Sequence, residues 1–139
     1  MNTLSTKRRL LLIGALSLLI GLNVACSQEQ GLVVTDDMLG RLRQLRAESK
    51  FLDLPGAPAA RERKAFEPVI NDVLDRLLVG LKANPQKSWV LLQMEPAVAR
   101  FHLEDTELRE RCIAYLARAL EIVGSPGSGA AFARYLIFI

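Results

Sequence analysis

From residue 35 onward, apolar residues recur every three or four positions, which is the spacing that places side chains on one face of an α-helix. The first stripe consists of Met38, Leu39, Leu42 and Leu45. Thr35 stands where a cap is expected, and the acidic residues after it favour the positive end of a helix. No segment alternates apolar and polar residues well enough to predict a strand.

A second helix is predicted after the segment 54–58 (LPGAP), which interrupts the pattern. Residues 59–64 (AARERK) are polar and are expected to be a helical lead-in, and Pro68 suits the first position of the helix. The apolar stripe that follows is Val69, Ile70, Val73, Leu74, Leu77, Leu78 and Leu81. The pair Asn84-Pro85 is expected to end this helix.

Two further segments have a helical pattern. Residues 88–101 contain the single tryptophan, Trp89, and Pro96, which predicts a kink or two short helices. The next helix is expected to begin after a cap at Asp105 or Thr106 and to end at Gly124. Its apolar face consists of Leu108, Cys112, Tyr115, Leu116, Ala119, Ile122 and Val123.

The last ten residues, 130–139, are largely apolar, and we expect them to fold back on the core or to pair with another chain. The chain is therefore predicted to be all-α. We expect a small bundle of four or five helices after an N-terminal signal or anchor helix.

The N-terminus has the pattern of an export signal. A basic cluster at 7–9 (KRR) precedes the apolar run 10–22, and small residues then lead to Cys26. A run of 13 residues is shorter than the roughly 20 that a membrane-spanning helix needs. These features predict a signal peptide at 1–25 and, after it, a tether at 26–34 and a single helical domain at 35–139. Val33 and Val34 at the end of the tether are expected to pack on the domain.

Val24, Ala25 and Cys26 resemble the lipobox of bacterial lipoproteins, although Asn23 stands where that pattern usually has Leu. The resemblance implies that the sulfur of Cys26 receives a diacylglycerol and that cleavage leaves Cys26 as the N-terminus. The protein would then be anchored in the bacterial cell envelope and face the periplasm. Two alternatives stay open: ordinary cleavage after Ala25 or Ser27, giving a soluble periplasmic or secreted protein, and an uncleaved membrane anchor.

The charge balance changes once the signal segment is set aside. Removing residues 1–25 removes three basic residues and no acid, which leaves 15 basic and 15 acidic residues in 114. The pI near 9.1 is therefore a property of the signal segment. A nucleic-acid-binding domain keeps a basic excess, so nucleic acid is not an expected partner.

Two cysteines are present, at 26 and 112. If Cys26 is acylated, Cys112 is unpaired and is best kept buried in an oxidising compartment. If Cys26 is not acylated, a disulfide between the two is possible.

Basic residues on the first helix could meet anionic lipid headgroups beside the anchor. They are Arg41, Arg43, Arg46 and Lys50, which lie mostly off the apolar stripe. A solvated helix face is the preferred interpretation for a mature chain without net basic charge.

Candidate catalytic and metal-binding residues are few. The only histidine, His102, has no nucleophile placed beside it by the pattern, and one histidine with at most one free cysteine is too few for a zinc site. The acids Glu104, Asp105, Glu107 and Glu110 are explained by the positive end of a helix rather than by a calcium site. We therefore expect no enzyme activity, no metal and no cofactor.

The segment 100–139 resembles a bacterial all-helical family of unknown function. The matching residues are Arg100-Phe101, Asp105-Thr106-Glu107, Arg109-Glu110-Arg111, Tyr115, Ile122 and Gly124. This resemblance implies a helical fold and brings no known activity.

These observations favour a non-catalytic, lipid-anchored domain that binds a protein, either an envelope partner or a toxin that it neutralises. The alternative is a carrier of an apolar ligand or lipid, with a cavity between helices 69–81 and 108–123. An envelope enzyme and a structural spacer without a dedicated ligand are further hypotheses.

Overall fold

Four α-helices make up most of the chain that the computed structural model describes, which is residues 31–52 and 60–125. They are α1 Asp36–Ala47, α2 Ala60–Gly80, α3 Lys87–Phe101 and α4 Thr106–Ile122. These residues contain no strand, only an isolated bridge between Gly31 and Gln86. The all-α prediction is confirmed. The signal segment 1–25, Cys26, the rest of the tether to residue 30 and the predicted last segment 130–139 lie outside the described residues.

Both predicted N-terminal caps are present. The hydroxyl of Thr35 accepts a hydrogen bond from the Met38 amide at 3.1 Å. At α4 the cap is Asp105 rather than Thr106, and its carboxylate accepts from the Leu108 amide at 2.9 Å. Each cap satisfies one of the amides that a helix start leaves without an intrahelical partner.

Gly124 ends α4 as predicted, with a φ of +74°. The amide of Ser125 donates to the Leu120 carbonyl at 2.9 Å, and the amide of Gly124 donates to the Glu121 carbonyl at 3.1 Å. This pair of bonds is a Schellman motif, which needs a left-handed residue at the position that glycine occupies.

The prolines do not divide the helices where the sequence suggested. The prediction that α2 begins at Pro68 is wrong, because the helix runs unbroken from Ala60 and contains Pro68. Phe66 is 8% exposed and holds the turn before the proline in the core. The free energy of its burial offsets the loss of the backbone hydrogen bond that Pro68 cannot donate. Likewise α3 is a single helix that contains Pro96, so the alternative of two short helices is wrong.

Helices α2 and α4 form the centre of the bundle, since each packs on the other and on both α1 and α3. Neighbours in sequence run antiparallel: the start of α1 meets the end of α2 through Asp36 and Lys82, whereas Phe66 near the start of α2 lies 5.5 Å from the Phe101 ring at the end of α3. The interior is filled by aliphatic side chains, with an aromatic cluster at one end made of Phe51, Phe66, Phe101 and Tyr115.

The segment before α1 lies against the turn between α2 and α3. The Leu32 amide donates to the Pro85 carbonyl at 2.7 Å, and Leu32 and Val34 pack on the core. Val33 points away and is 79% exposed, so the expectation that it packs on the domain is wrong for Val33 and right for Val34. In an extended chain, alternate side chains point to opposite sides, which accounts for the difference.

Candidate functional site

The corner between α1 and α2 has the least ordinary geometry in the described chain. Helix α1 ends at Ala47 with Glu48 as its C-terminal cap residue, and the chain then passes through Lys50, whose side chain is fully buried, and Phe51, whose φ is +62°. A buried lysine and a bulky residue in the left-handed region are both uncommon, and both are unfavourable unless their surroundings compensate.

Lys50 was expected on a solvated face or beside headgroups, and the structure shows both interpretations to be wrong for it. Its ammonium donates to the backbone carbonyls of Arg46 at 3.2 Å and of Glu48 at 2.8 Å, carbonyls that the end of α1 leaves without helical partners. Burial lowers the pKa of Lys50, and the Glu67 carboxylate opposes this shift. Lys50 therefore works as a cap of α1 from inside the bundle.

Phe51 is held in its conformation by contacts on all sides. Its amide donates to the Tyr115 hydroxyl at 3.0 Å, and its ring lies 5.8 Å from the ring of Phe101 and 6.3 Å from that of Phe66. A residue kept in this backbone region carries a strain of about 1–3 kcal/mol, which the surrounding packing must exceed. The corner is thus a rigid support for the residues next to it.

Beside this corner lies a cleft of about 390 Å³, which we call the corner cleft. Its lining residues are Ser49, Ala60, Arg63, Lys64, Glu67, Pro68 and Asn71. The spacing of α2 places Arg63, Glu67 and Asn71 one turn apart on a single helix face. The carboxylate of Glu67 accepts from the Lys50 amide at 3.3 Å, which joins the floor of the cleft to the corner.

Two polar atoms of the corner cleft are buried without a hydrogen-bond partner among the described residues. They are the Nε of Arg63, a donor, and the Oδ1 of Asn71, an acceptor. A buried polar atom without a partner costs about 1–3 kcal/mol, so such atoms are rare in folded proteins. Both atoms belong to residues that line the cleft.

A second, smaller groove of about 180 Å³ lies between α1 and α4. Two of its charged groups form an ion pair: the Arg118 guanidinium donates to both carboxylate oxygens of Glu48, at 2.9 and 3.0 Å, and this raises the pKa of Arg118. Since this pair satisfies itself, the corner cleft is the better candidate for a binding site.

The residues that the sequence singled out for chemistry lie elsewhere. His102 is the C-terminal cap residue of α3 and is half-buried. Of the four acids, Asp105 caps α4 as predicted, whereas Glu104 pairs with Arg100 of α3. In residues 31–52 and 60–125, no three His, Cys, Asp or Glu side chains are grouped to hold a metal ion.

Cys112 is a free thiol in the core and is fully buried. Burial raises the pKa of this thiol to about 12, because a thiolate would lose its hydration there. The thiol is therefore inert at neutral pH.

The space between α2 and α4, where the sequence placed a cavity for an apolar ligand, is occupied by their own side chains. The two helices pack on each other, and their core residues Val73, Leu77, Cys112, Leu116 and Ala119 belong to one cluster and are each at most 1% exposed.

The corner cleft is not evident from the sequence, since the pattern of residues 59–64 indicates only a polar lead-in to the helix. The residue in the sequence that indicates an earlier start of α2 is Phe66. It lies four positions before Ile70, so the apolar stripe of α2 extends back past Pro68 and places Arg63 inside the helix.

The described helices include none that combines the length and the apolar character needed to cross a membrane. The chain has no match among curated proteins or among solved structures. One family model, described as "Domain of unknown function (DUF4844)", matches residues 34–137, which covers all four helices. The chain therefore belongs to this family of domains of unknown function.

Proposed function

We propose that this chain is a lipid-anchored domain of the bacterial cell envelope that binds a protein partner without catalysis, and that the corner cleft is its contact site. The observation that carries this proposal is the pair of buried, unpartnered atoms, Arg63 Nε and Asn71 Oδ1, in one cleft. A ligand that offers an acceptor to the first and a donor to the second would satisfy both. The main chain of a peptide offers a carbonyl and an amide at every residue.

The size and charge of the cleft fit a short peptide segment. A volume of about 390 Å³ lies within the usual range of about 300–1,000 Å³ for binding sites. Arg63 and Lys64 put two cations at the cleft against the single carboxylate of Glu67, so the charge of the cleft is positive on balance. An extended segment with acidic side chains, presented by an envelope protein or by a toxin that the domain neutralises, therefore matches the site.

Binding at the surface is favoured over the alternative function, a carrier of an apolar ligand. The facing side chains of α2 and α4 are in contact and fully buried, so an internal ligand would have to displace packed core residues.

The anchor is supported by the sequence pattern alone: a basic cluster, an apolar run of 13 residues and a lipobox-like exit to Cys26. The intact mass of protein extracted from membranes tests it. We expect a chain that begins at Cys26 and carries acyl groups, and we expect Cys26→Ser to abolish lipid labelling. An unmodified Cys26 or a chain that begins after it would overturn the anchoring.

Site-specific photo-crosslinking in intact envelopes tests the cleft. A photoreactive amino acid at Ser49, which is exposed at the rim, should capture one protein at a defined mass. The same amino acid at Glu95, an exposed position on α3 that does not line the cleft, is the control. Equal capture at both positions would contradict the proposal.

Asn71→Leu separates a binding role from a structural one. Because the variant removes an unpartnered buried acceptor, stability should be unchanged or should rise by roughly 1 kcal/mol, while the crosslink from position 49 is lost. Urea unfolding of the purified domain measures the first effect, and the crosslinking yield measures the second. If the Asn71→Leu protein still captured the partner, the corner cleft would not be part of the binding site.

A further inference from the structure

One end of the bundle is defined by the turn between α2 and α3. The segment before α1 lies against this turn, since Gly31 bridges to Gln86 and the Leu32 amide donates to the Pro85 carbonyl. Lys82 at the end of α2 pairs with Asp36 at the start of α1 at 3.2 Å. We call this part, residues 31–36 together with 79–87, the α2–α3 end.

The α2–α3 end carries two large apolar side chains that the fold leaves in solvent. Val33 is 79% exposed and Val79 is 86% exposed. They come from different segments that meet at the same end, but the α3–α4 turn also exposes Leu103 at 86%, so exposure alone does not set this end apart. Single exposed apolar residues are ordinary on proteins, and a second observation is needed to give them a role.

That observation is the length of chain between the described residues and Cys26. Five peptide units separate Cys26 from Gly31, and an extended chain spans at most about 3.6 Å per residue, so the two Cα atoms are within about 18 Å of each other. Helix α2 has 21 residues and is therefore roughly 30 Å long. An acyl group on Cys26 therefore holds the α2–α3 end within about 18 Å of the membrane surface, whereas the other end of the bundle lies roughly one helix length from the α2–α3 end.

The geometry points to the α2–α3 end as a lipid-contacting surface, with Val33 and Val79 at the boundary of headgroups and acyl chains. This inference rests on the proposed anchoring at Cys26. Asp36 and Asp37 offset the charges of Lys82 and Lys87 at the same end, so the contact is apolar rather than an attraction to anionic lipid. It is therefore expected to persist at high salt.

The orientation has a consequence for the corner cleft. Arg100 at the end of α3 lies over the Phe66 ring near the start of α2, so the α3–α4 turn and the cleft share the opposite end of the bundle. With the α2–α3 end on the lipid, the cleft faces away from the membrane, where a partner segment can reach it.

Two matched labelling positions test the orientation. Val79 at the α2–α3 end and Leu103 in the α3–α4 turn are equally exposed, at 86% each. In the acylated protein the sulfur of Cys26 is blocked and Cys112 is buried, so Val79→Cys and Leu103→Cys each introduce one reactive thiol. Each full-length acylated variant is labelled with the environment-sensitive dye NBD and placed in vesicles of phosphatidylethanolamine and phosphatidylglycerol.

We expect the dye at position 79 to shift its emission to the blue and to be quenched by nitroxides on the lipid acyl chains. The dye at position 103 should keep its emission in water and be quenched by iodide instead. Both patterns should survive a change from low to high salt.

Equal quenching by lipid nitroxides at the two positions, or stronger quenching at position 103, would overturn the inference. The mass of each protein separates this failure from a failure of the anchoring. An acylated, vesicle-bound protein with a water-exposed dye at position 79 refutes the orientation alone. A protein without acyl groups refutes the anchoring, and the orientation falls with it.

Discussion

At the scale of single residues, the hydrogen bond from the Phe51 amide to the Tyr115 hydroxyl, at 3.0 Å, holds a backbone that would otherwise relax. Tyr115→Phe removes the acceptor and leaves a buried amide without a partner. We expect a loss of about 1–3 kcal/mol in the free energy of unfolding, measured by urea denaturation.

Amide hydrogen exchange gives a local check on the same bond. The Phe51 amide should be protected in the unmodified protein and should exchange faster in Tyr115→Phe, whereas the Met38 amide, bound to Thr35 at the far end of α1, should change little. Unchanged exchange at Phe51 would show that the bond does not fix the corner.

Cys112 makes stability depend on pH in the alkaline range. Its pKa is about 12 in the folded protein and ordinarily 9.0, so above pH 9 the unfolded chain releases this proton first. The stabilising contribution is complete below pH 9 and is lost as the pH rises towards 12. Relative to Cys112→Ala, the unmodified protein should lose roughly 1 kcal/mol of unfolding free energy between pH 8 and pH 10.

Both proteins contain Lys50 and the other groups that titrate at alkaline pH, so their contributions largely cancel in this difference. Urea unfolding at several pH values measures it under reducing conditions, which keep the thiol free. If the difference in unfolding free energy between the two proteins did not change with pH, the Cys112 thiol would titrate alike in the folded and unfolded states.

At the scale of elements, the turn between α2 and α3 depends on a close approach of Gly80 to the tryptophan. A Cβ at position 80 would lie 2.5 Å from two carbons of the Trp89 ring, whereas a Cβ at Gly40 in α1 would meet nothing within 4 Å. Gly→Ala in an exposed helix normally stabilises by about 0.5–1 kcal/mol. We expect that gain for Gly40→Ala, and a net loss of roughly 1–3 kcal/mol for Gly80→Ala.

Trp89 is the only tryptophan, so its fluorescence reports on the same contact. Gly80→Ala should shift the emission because the ring must move, and Gly40→Ala should leave it unchanged. Equal changes in unfolding free energy in the two variants would show that α2 and α3 can move apart at this turn at a small cost in free energy.

The helices themselves were predictable because their signals are local. Apolar periodicity, the Thr35 and Asp105 caps and Gly124 depend on residues within one or two turns, and the structure has each of them as predicted. The start of α2 was not predictable from Pro68, because burial of Phe66 against Phe101 outweighs the preference of proline for a helix start.

The candidate site was predictable only in part, since it depends on contacts distant in sequence. The sequence suggests a surface position for Lys50 because no acidic partner is evident for its charge. Its partners are backbone carbonyls at the end of α1, and α1 packs on both α2 and α4, which buries this end. Arg63 and Asn71 are ordinary helix residues in the sequence. Their importance appears only when the corner packs beside the face of α2 that carries both and a cleft forms there.

At the scale of the whole molecule, the core rather than the ion pairs holds the four helices together. The Glu48–Arg118 pair joins α1 to α4, but its side chains are 38% and 48% exposed, and water screens such pairs. Leu116, two residues before Arg118 on the same helix, is 1% exposed and belongs to the core cluster. Substitutions at these two positions therefore compare the contribution of an ion pair with that of a buried side chain in the same helix, α4.

We expect Leu116→Ala to lower the free energy of unfolding by about 2–5 kcal/mol, because it removes buried methyl groups and leaves a cavity among packed side chains. Arg118→Ala should lower it by less than about 1 kcal/mol, and this difference should shrink further at 1 M salt, where charges are screened within roughly 3 Å. Urea unfolding at low and high salt measures both. If Arg118→Ala were the more damaging change, the pair with Glu48 rather than the core would hold α1 against α4, and the rigidity of the corner cleft would depend on ionic strength.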